Sequence, residues 1–440
     1  MVSYVNTSLA IDGGKPVRTK GPIVEQDVFD DEELQAVIEV ARNKQLRRAA
    51  ATEEYEKSIA EWFGVKHAIA VSSGTTSLHI ALAAFGVGPG NEVIVTPYTF
   101  IASDTCVLEQ NAIPIFADID PEHLGLDPAD IERKITPRTK AIIPVHLAGN
   151  PVDMDAIMDI AKKHNLWVLE DAAQALGATY KGKKVGTIGH VGSFSTITGK
   201  ITNTGEGGFV ITDDDDLYEE MWGYMDFARR KSMGKASKYH WGLPCTNYRI
   251  TNLQAAIGIQ QMKRADWLIA RRTENVRYIS DKLKDLPGVV VPPESAWGER
   301  VYFYYILRLL PEILGTDMLN FAVALAAEGV YDLNNIRTTR WLMPQYMEPL
   351  FLNKSGYGGT TCPFECPLYE GHVEYMQGLC PSAERVCEEY FWLASVHPLL
   401  EQEDLDDICT AVKKVVTAFI EKKEANIPIQ YATPEIRAML

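Results

Sequence analysis

Apolar positions in this chain recur with two periods, and the period changes along its length. Residues 31–44 repeat apolar positions at helical spacing behind an acidic first turn, so they read as an amphipathic helix. A second helix is expected over 52–63, with Gly64 as its stop. Short apolar runs follow at 68–71, 92–95, 113–117, 141–145, 167–169 and 208–211. Between them lie helical patterns at 76–84, 102–109, 153–163 and 217–228. This alternation predicts an α/β fold, a mostly parallel sheet covered by helices on both faces, over about residues 60–250.

The pattern then changes. Residues 252–286 predict a long connecting helix, closed by Pro287-Gly288. A strand at 300–309 and helices at 318–328, 382–394 and 403–422 predict a smaller α+β domain. Residues 353–380, rich in Gly, Thr, Cys and Pro, read as a loop region, and 425–440 as an arm or tail. The expected division is a large domain with an N-terminal arm over 1–265, and a small C-terminal domain over 266–440. No internal repeat is visible.

Composition narrows the classes of function. A chain of 440 residues, 46% hydrophobic and 23% charged, suits a globular protein of two domains. The formal net charge of -16 disfavours binding to a phosphate backbone, so no nucleic acid is expected. The longest apolar runs, such as 112–117, are too short to span a membrane. The first residues lack a basic start and an apolar stretch, and seven scattered cysteines suit reduced thiols. The expected location is cytoplasmic.

Three segments carry candidate chemistry. In Val71-Ser72-Ser73-Gly74-Thr75-Thr76-Ser77 a strand ends and a helix begins; free N–H groups and hydroxyls there make an anion site, or simply a helix cap. In Trp167-Val168-Leu169-Glu170-Asp171-Ala172-Ala173-Gln174 an apolar strand ends in two carboxylates, at the edge where such sheets bind ligands. A carboxylate there can hold a protonated pyridine nitrogen, or cap the next helix. The strongest segment is 192–208, in which Lys200 stands alone among glycines, serines and threonines and Gly205-Glu206-Gly207-Gly208 precedes a strand. Such a segment lets a ligand approach one amine closely, and a lysine shielded from water adds to aldehydes more readily. An exposed loop lysine is the competing reading. Phe100 could stack on a flat ring, with core packing the favoured reading for an isolated phenylalanine, and Asn247 and Arg249 could meet a phosphate or carboxylate or simply make a polar helix entry. Cys362 and Cys366, with Cys380 and Cys387, fit no zinc spacing closely, so no metal is expected.

Taken in this order, these segments resemble the DegT/StrS family of sugar aminotransferases, a branch of the fold-type I pyridoxal-phosphate enzymes, from Leu9 to about Thr417. The resemblance implies pyridoxal 5'-phosphate as cofactor, carried by Lys200 as a Schiff base, with Asp171 facing the ring nitrogen; these two would be the catalytic residues. It places Gln174 near the ring oxygen, Thr75, Thr76 and Ser195 at the phosphate, and Phe100 against the ring. Asn247 would reach the phosphate held by a neighbouring subunit, which implies a homodimer with shared sites. Family members carry a motif like Val145-His146-Leu147-Ala148-Gly149-Asn150 near the site.

The implied activity is transfer of an amino group from glutamate or glutamine to a keto-sugar or cyclitol ketone. Relatives with histidine in place of the lysine dehydrate sugars, and retention of Lys200 favours transamination. A dehydratase and a non-catalytic ligand sensor are the alternatives; the sensor would be expected to lose the lysine or gain a DNA-binding module. Residues 196–199 and 331–348 depart from the usual pattern and, with residues 10–18, lean toward cyclic ketones such as inososes or aminobenzoate precursors. Nucleotide-linked keto-sugars stay open.

Overall fold

A computed structural model of the chain describes residues 8–232, 244–333, 343–393 and 396–438. Helix α1 spans Asp31–Arg42 and opens on a capping box: Asp30 accepts from the Glu32 amide, and Glu33 accepts from the Asp30 amide at 3.1 Å. Helix α2 spans Ala50–Phe63 and stops at Gly64, whose φ of 75° suits a residue without a Cβ.

The alternating region folds as expected. Strands and helices follow as β1 (His67–Val71), α3 (Gly74–Ala84), β2 (Glu92–Val95), α4 (Ala102–Glu109) and β3 (Ile113–Phe116). Then come α5 (Pro128–Lys134), β4 (Thr139–Ile142), α6 (Met154–His164) and β5 (Trp167–Asp171). A small hairpin, β6 (Thr179–Tyr180) with β7 (Lys183–Lys184), precedes β8 (Val191–Ser195), β9 (Gly208–Thr212) and α7 (Asp215–Met225). Seven strands form one sheet in the order β1-β9-β8-β5-β4-β2-β3. Every pairing is parallel except those of β9, which runs against both β8 and β1. The carboxyl ends of β1, β2, β5 and β8 therefore share one edge, where an open α/β sheet binds its ligand.

Alternate residues of each strand enter different cores, which explains the nearly continuous apolar runs. Ile69, Val71, Val93 and Val95 pack on one face; Ala68, Ala70, Ile94 and Val168 pack on the other. A third core joins α9 (Ala265–Leu283) to the strands β10 (Val289–Val290), β11 (Tyr305–Leu309) and β12 (Tyr390–Leu393) and to helices Met318–Ala327 and Gln402–Glu424. The loop region around 353–380 packs on the first core: Phe364 and Tyr375 bury there, and the Tyr375 hydroxyl donates to the Pro114 carbonyl at 2.8 Å.

Four expectations are corrected. β8 was not anticipated as a strand, because Gly192, Ser193 and Ser195 break its apolar pattern; ladder bonds to β5 and β9 supply what propensity does not. Helix α5 was missed, being short and starting at Pro128. The long connector is two helices, α8 (Asn252–Lys263) and α9, separated at Arg264 with φ -105° and ψ 5°. The helix expected over 382–394 ends at Glu389, and the aromatic run Tyr390–Leu393 pairs instead with β11. Of the departing segment 331–348, residues 334–342 lie outside the described residues.

Candidate active site

The shared sheet edge opens on a cavity of about 570 Å³. Thr75, Phe100, Asp171, Gln174, Ser195 and Lys200 all line it, although they come from four separate stretches of chain. Lys200 sits on the connection between β8 and β9. That connection is a tight hairpin, with the Thr196 amide donating to Gly207 O and the Thr198 amide to Gly205 O, both at 2.9 Å. Gly199 and Gly205 take φ values of 89° and 81°, which ordinary residues rarely adopt, and this is the structural need behind the glycines. Lys200 Nζ lies 4.0 Å from the centroid of the Phe303 ring. Burial lowers its proton affinity to about 8 while the Asp171 charge pulls it back up. The amine is thus partly neutral near physiological pH.

Asp171 ends β5 with its carboxylate fixed from two sides. Ser103 Oγ donates to Oδ2 at 2.7 Å and the Ala173 amide to Oδ1 at 3.1 Å. Burial raises the Asp171 pKa above the usual carboxylate range, against those two bonds and the charge of Lys200. Beside it, Asp104 is buried, neither carboxylate oxygen finds a hydrogen-bond partner among the described residues, and burial together with the Asp171 charge pushes it well above the carboxylate range. The adjacent Glu170 has a different task. It accepts from His146 Nε2 at 2.9 Å and from the amides of Gly186, Ile188 and Gly189, so it ties that loop to the sheet.

The motif 145–150 does not line the cavity but braces two residues that do. The His146 amide donates to Asp171 O at 3.0 Å, and the Ala148 amide donates to Gln174 Oε1 at 2.8 Å, which orients Gln174. The N-terminus of α3 faces the cavity too. Ser73 caps it by accepting from the Thr76 amide at 3.1 Å. A Cβ on Gly74 would lie 2.7 Å from Ser195 Cβ, so only glycine allows this close approach.

Two expected residues stand apart from the cavity wall. The Thr76 hydroxyl is committed to the cap: it accepts from the Ser73 amide at 3.0 Å and donates to Ser73 O at 2.8 Å. Asn247 is exposed, and its backbone bridges to Asp226. Sequence reasoning missed Ser103, Glu25, Asp27, Phe303 and Tyr304, all of which line the cavity. Phe303 and Tyr304 read only as part of a strand, and Glu25 and Asp27 lie in the arm before α1, where no local pattern marks them. Among the described residues no cluster of three or more histidines, cysteines or acids is arranged to hold a metal, and Cys362 and Cys366 are free thiols. No helix among them is long and apolar enough to cross a membrane.

Fold and cavity define the class first: an α/β enzyme presenting one amine and one fixed carboxylate at the carboxyl edge of its sheet. The pattern of the DegT/DnrJ/EryC1/StrS aminotransferase family matches residues 27–364. GDP-perosamine synthase of Caulobacter vibrioides is 48% identical over 257 residues, 58% of this chain and 68% of that protein. A putative L-glutamine:3-amino-2,3-dideoxy-scyllo-inosose aminotransferase of Streptoalloteichus tenebrarius is 34% identical over 429 residues, 93% of this chain and 98% of that protein. The crystal structure of an aminotransferase from Psychrobacter cryohalolentis superposes with a TM-score of 0.75 at 32% identity, covering 92% of this chain and all of that one. The chain belongs to the DegT/DnrJ/EryC1/StrS family and is an aminotransferase with the fold-type I architecture.

Proposed function

We propose that the cavity holds pyridoxal 5'-phosphate on Lys200, and that the enzyme moves an amino group from glutamate or glutamine to the ketone of a sugar or cyclitol. One observation carries this reading: an amine of lowered proton affinity shares a cavity with a buried carboxylate fixed at a strand end. The donor set fits the cofactor. Asp171, held above its usual pKa by burial, is an acceptor that a cationic ring nitrogen would relieve. The N-terminus of α3, Thr75 and Ser195 suit a phosphate, and Phe100, 58% exposed, offers a ring face.

When bound, the ring supplies a sink for the electrons left at the carbon that loses its proton. The rest is the work of the chain. Asp171 holds the ring-nitrogen proton, Gln174 orients the ring oxygen, and Lys200 Nζ, once free, takes the proton from the donor's Cα. The names of the relatives support a sugar or cyclitol acceptor and, for the inosose enzyme, glutamine as donor. Asn247, exposed and off this cavity, suits a role toward a second subunit in a homodimer. Retention of Lys200 favours amination over dehydration.

The test is an absorbance titration of the purified protein loaded with cofactor. Glutamate or glutamine should bleach the band of the lysine-bound form and release one keto acid per site, and Lys200→Ala should show neither the band nor turnover. Wild-type turnover by that variant would end the reading.

A further inference from the structure

The arm before α1 brings an acid into the cavity that the reaction above leaves without a task. Two bonds from Asp27 pin this arm to the lysine hairpin: Oδ1 accepts from the Gly199 amide at 2.9 Å and from Asn203 Nδ2 at 3.1 Å. Gln261 Nε2 holds it further on, donating to Val28 O at 2.8 Å. Glu25 therefore has a fixed position. A Cβ built on Gly199 would lie 3.9 Å from Glu25 Cγ, so the stem of Glu25 runs beside the residue that precedes Lys200.

The two carboxylate oxygens of Glu25 differ. Oε1 accepts from Arg272 at 2.5 Å, and Arg272, itself 3% exposed, is anchored by a bond to Val396 O at 3.1 Å. Oε2 is buried and has no hydrogen-bond partner among the described residues, while the side chain lines the cavity with Lys200, Phe303 and Tyr304. A buried oxygen without a donor is costly, and burial pushes this carboxyl up to about 7 even though Arg272 draws it down. The other cavity acids differ: Asp27 and Asp171 already accept donors, and Glu206 is exposed. Glu25 Oε2 is an acceptor awaiting a donor.

We propose that Glu25 determines acceptor specificity: Oε2 accepts a hydrogen bond from a ring hydroxyl of the polyhydroxylated ketone and of the amine formed from it. This rests on the reading under Proposed function and adds to it the residue that distinguishes the two substrates. Sugar and cyclitol rings bring O–H donors, whereas the carboxylates of an amino-acid donor bring only acceptors and are repelled by a carboxylate. A site built to pair a hydroxyl discriminates strongly, because without it the protein's own polar group stays unpaired.

The test uses full-length enzyme loaded with pyridoxal 5'-phosphate, with 2-deoxy-scyllo-inosose and a GDP-linked keto-sugar as probes; the one that the wild type aminates is carried forward. Glu25→Gln keeps an oxygen for Arg272 but turns an N–H₂ donor toward the hydroxyl, and Glu25→Ala removes both groups. In each, the KM for the ketone should rise about tenfold or more, with kcat changed by less than about threefold. Calorimetry of the aminated product on cofactor-free protein should show the same loss of affinity. The cofactor band and the donor half-reaction should be unchanged, which separates this inference from the parent reading. An unaltered ketone KM with those two intact overturns it. So does a rise confined to glutamine, whose amide is the competing donor, and so does failure of the wild type to aminate either probe.

Discussion

Ser103 and Asp171 are joined by a 2.7 Å hydrogen bond, from a hydroxyl on α4 to a carboxylate at the end of β5, 68 residues further along the chain. Thr99 Oγ1 stands 3.1 Å from Ser103 Oγ; since Ser103 spends its only proton on Asp171, Thr99 donates to Ser103. This relay opposes the rise that burial imposes on the Asp171 pKa. Ser103→Ala should therefore raise the Asp171 pKa further and lower kcat/KM by roughly tenfold to a hundredfold, the worth of a bond to a charged group. Steady-state kinetics with a parallel cofactor titration check it.

Capture of the cofactor should depend on pH in a direction set by Lys200. Its amine titrates at about 8 in the folded protein, so the reactive neutral fraction rises through pH 8 and levels off only above about pH 9. Stopped-flow mixing of cofactor-free protein with pyridoxal 5'-phosphate should show the rate of band formation following that curve. A rate still climbing steeply toward pH 10.5 would mean an ordinary solvated lysine.

Stability carries the same shift with a definite sign. Below about pH 8 Lys200 is charged in both states and its burial is a full cost; between about 8 and 10.5 the unfolded chain binds more protons, so stability rises with pH. Cofactor-free Lys200→Met should thus be more stable than the wild type at pH 7, by at most about 3 kcal/mol. That advantage should shrink as pH climbs through this window. Urea midpoints at several pH values measure it.

Glu170 offers a structural counterpart. Glu170→Ala strands three loop amides, one of them buried, and the buried His146, so a loss of about 3–5 kcal/mol is expected. Denaturant unfolding reads the loss directly.

Gly74→Ala separates cofactor binding from folding. The added methyl meets Ser195 Cβ at 2.7 Å, where α3 and β8 converge on the proposed phosphate site. Displacement of either should weaken cofactor affinity by about tenfold, measured by equilibrium titration, with a smaller change in thermal midpoint.

What the residue order determined by itself was local. Alternating runs of buried strand and amphipathic helix fixed the α/β class, because side-chain period follows backbone geometry whatever the partners. The three motifs were legible because glycines around Lys200, the cap at Ser73 and the acid after an apolar strand each answer to their own neighbours in the chain. Only the tertiary structure decided what lies across the cavity. Ser103, Glu25, Phe303 and Tyr304 carry no local mark, and they reach the site because parallel strands aim their carboxyl ends at one edge while the arm and the residues leading into β11 meet there. The same cause made β8 illegible: a strand that buries glycine and serine between two neighbours draws its stability from the ladder and not from its own side chains.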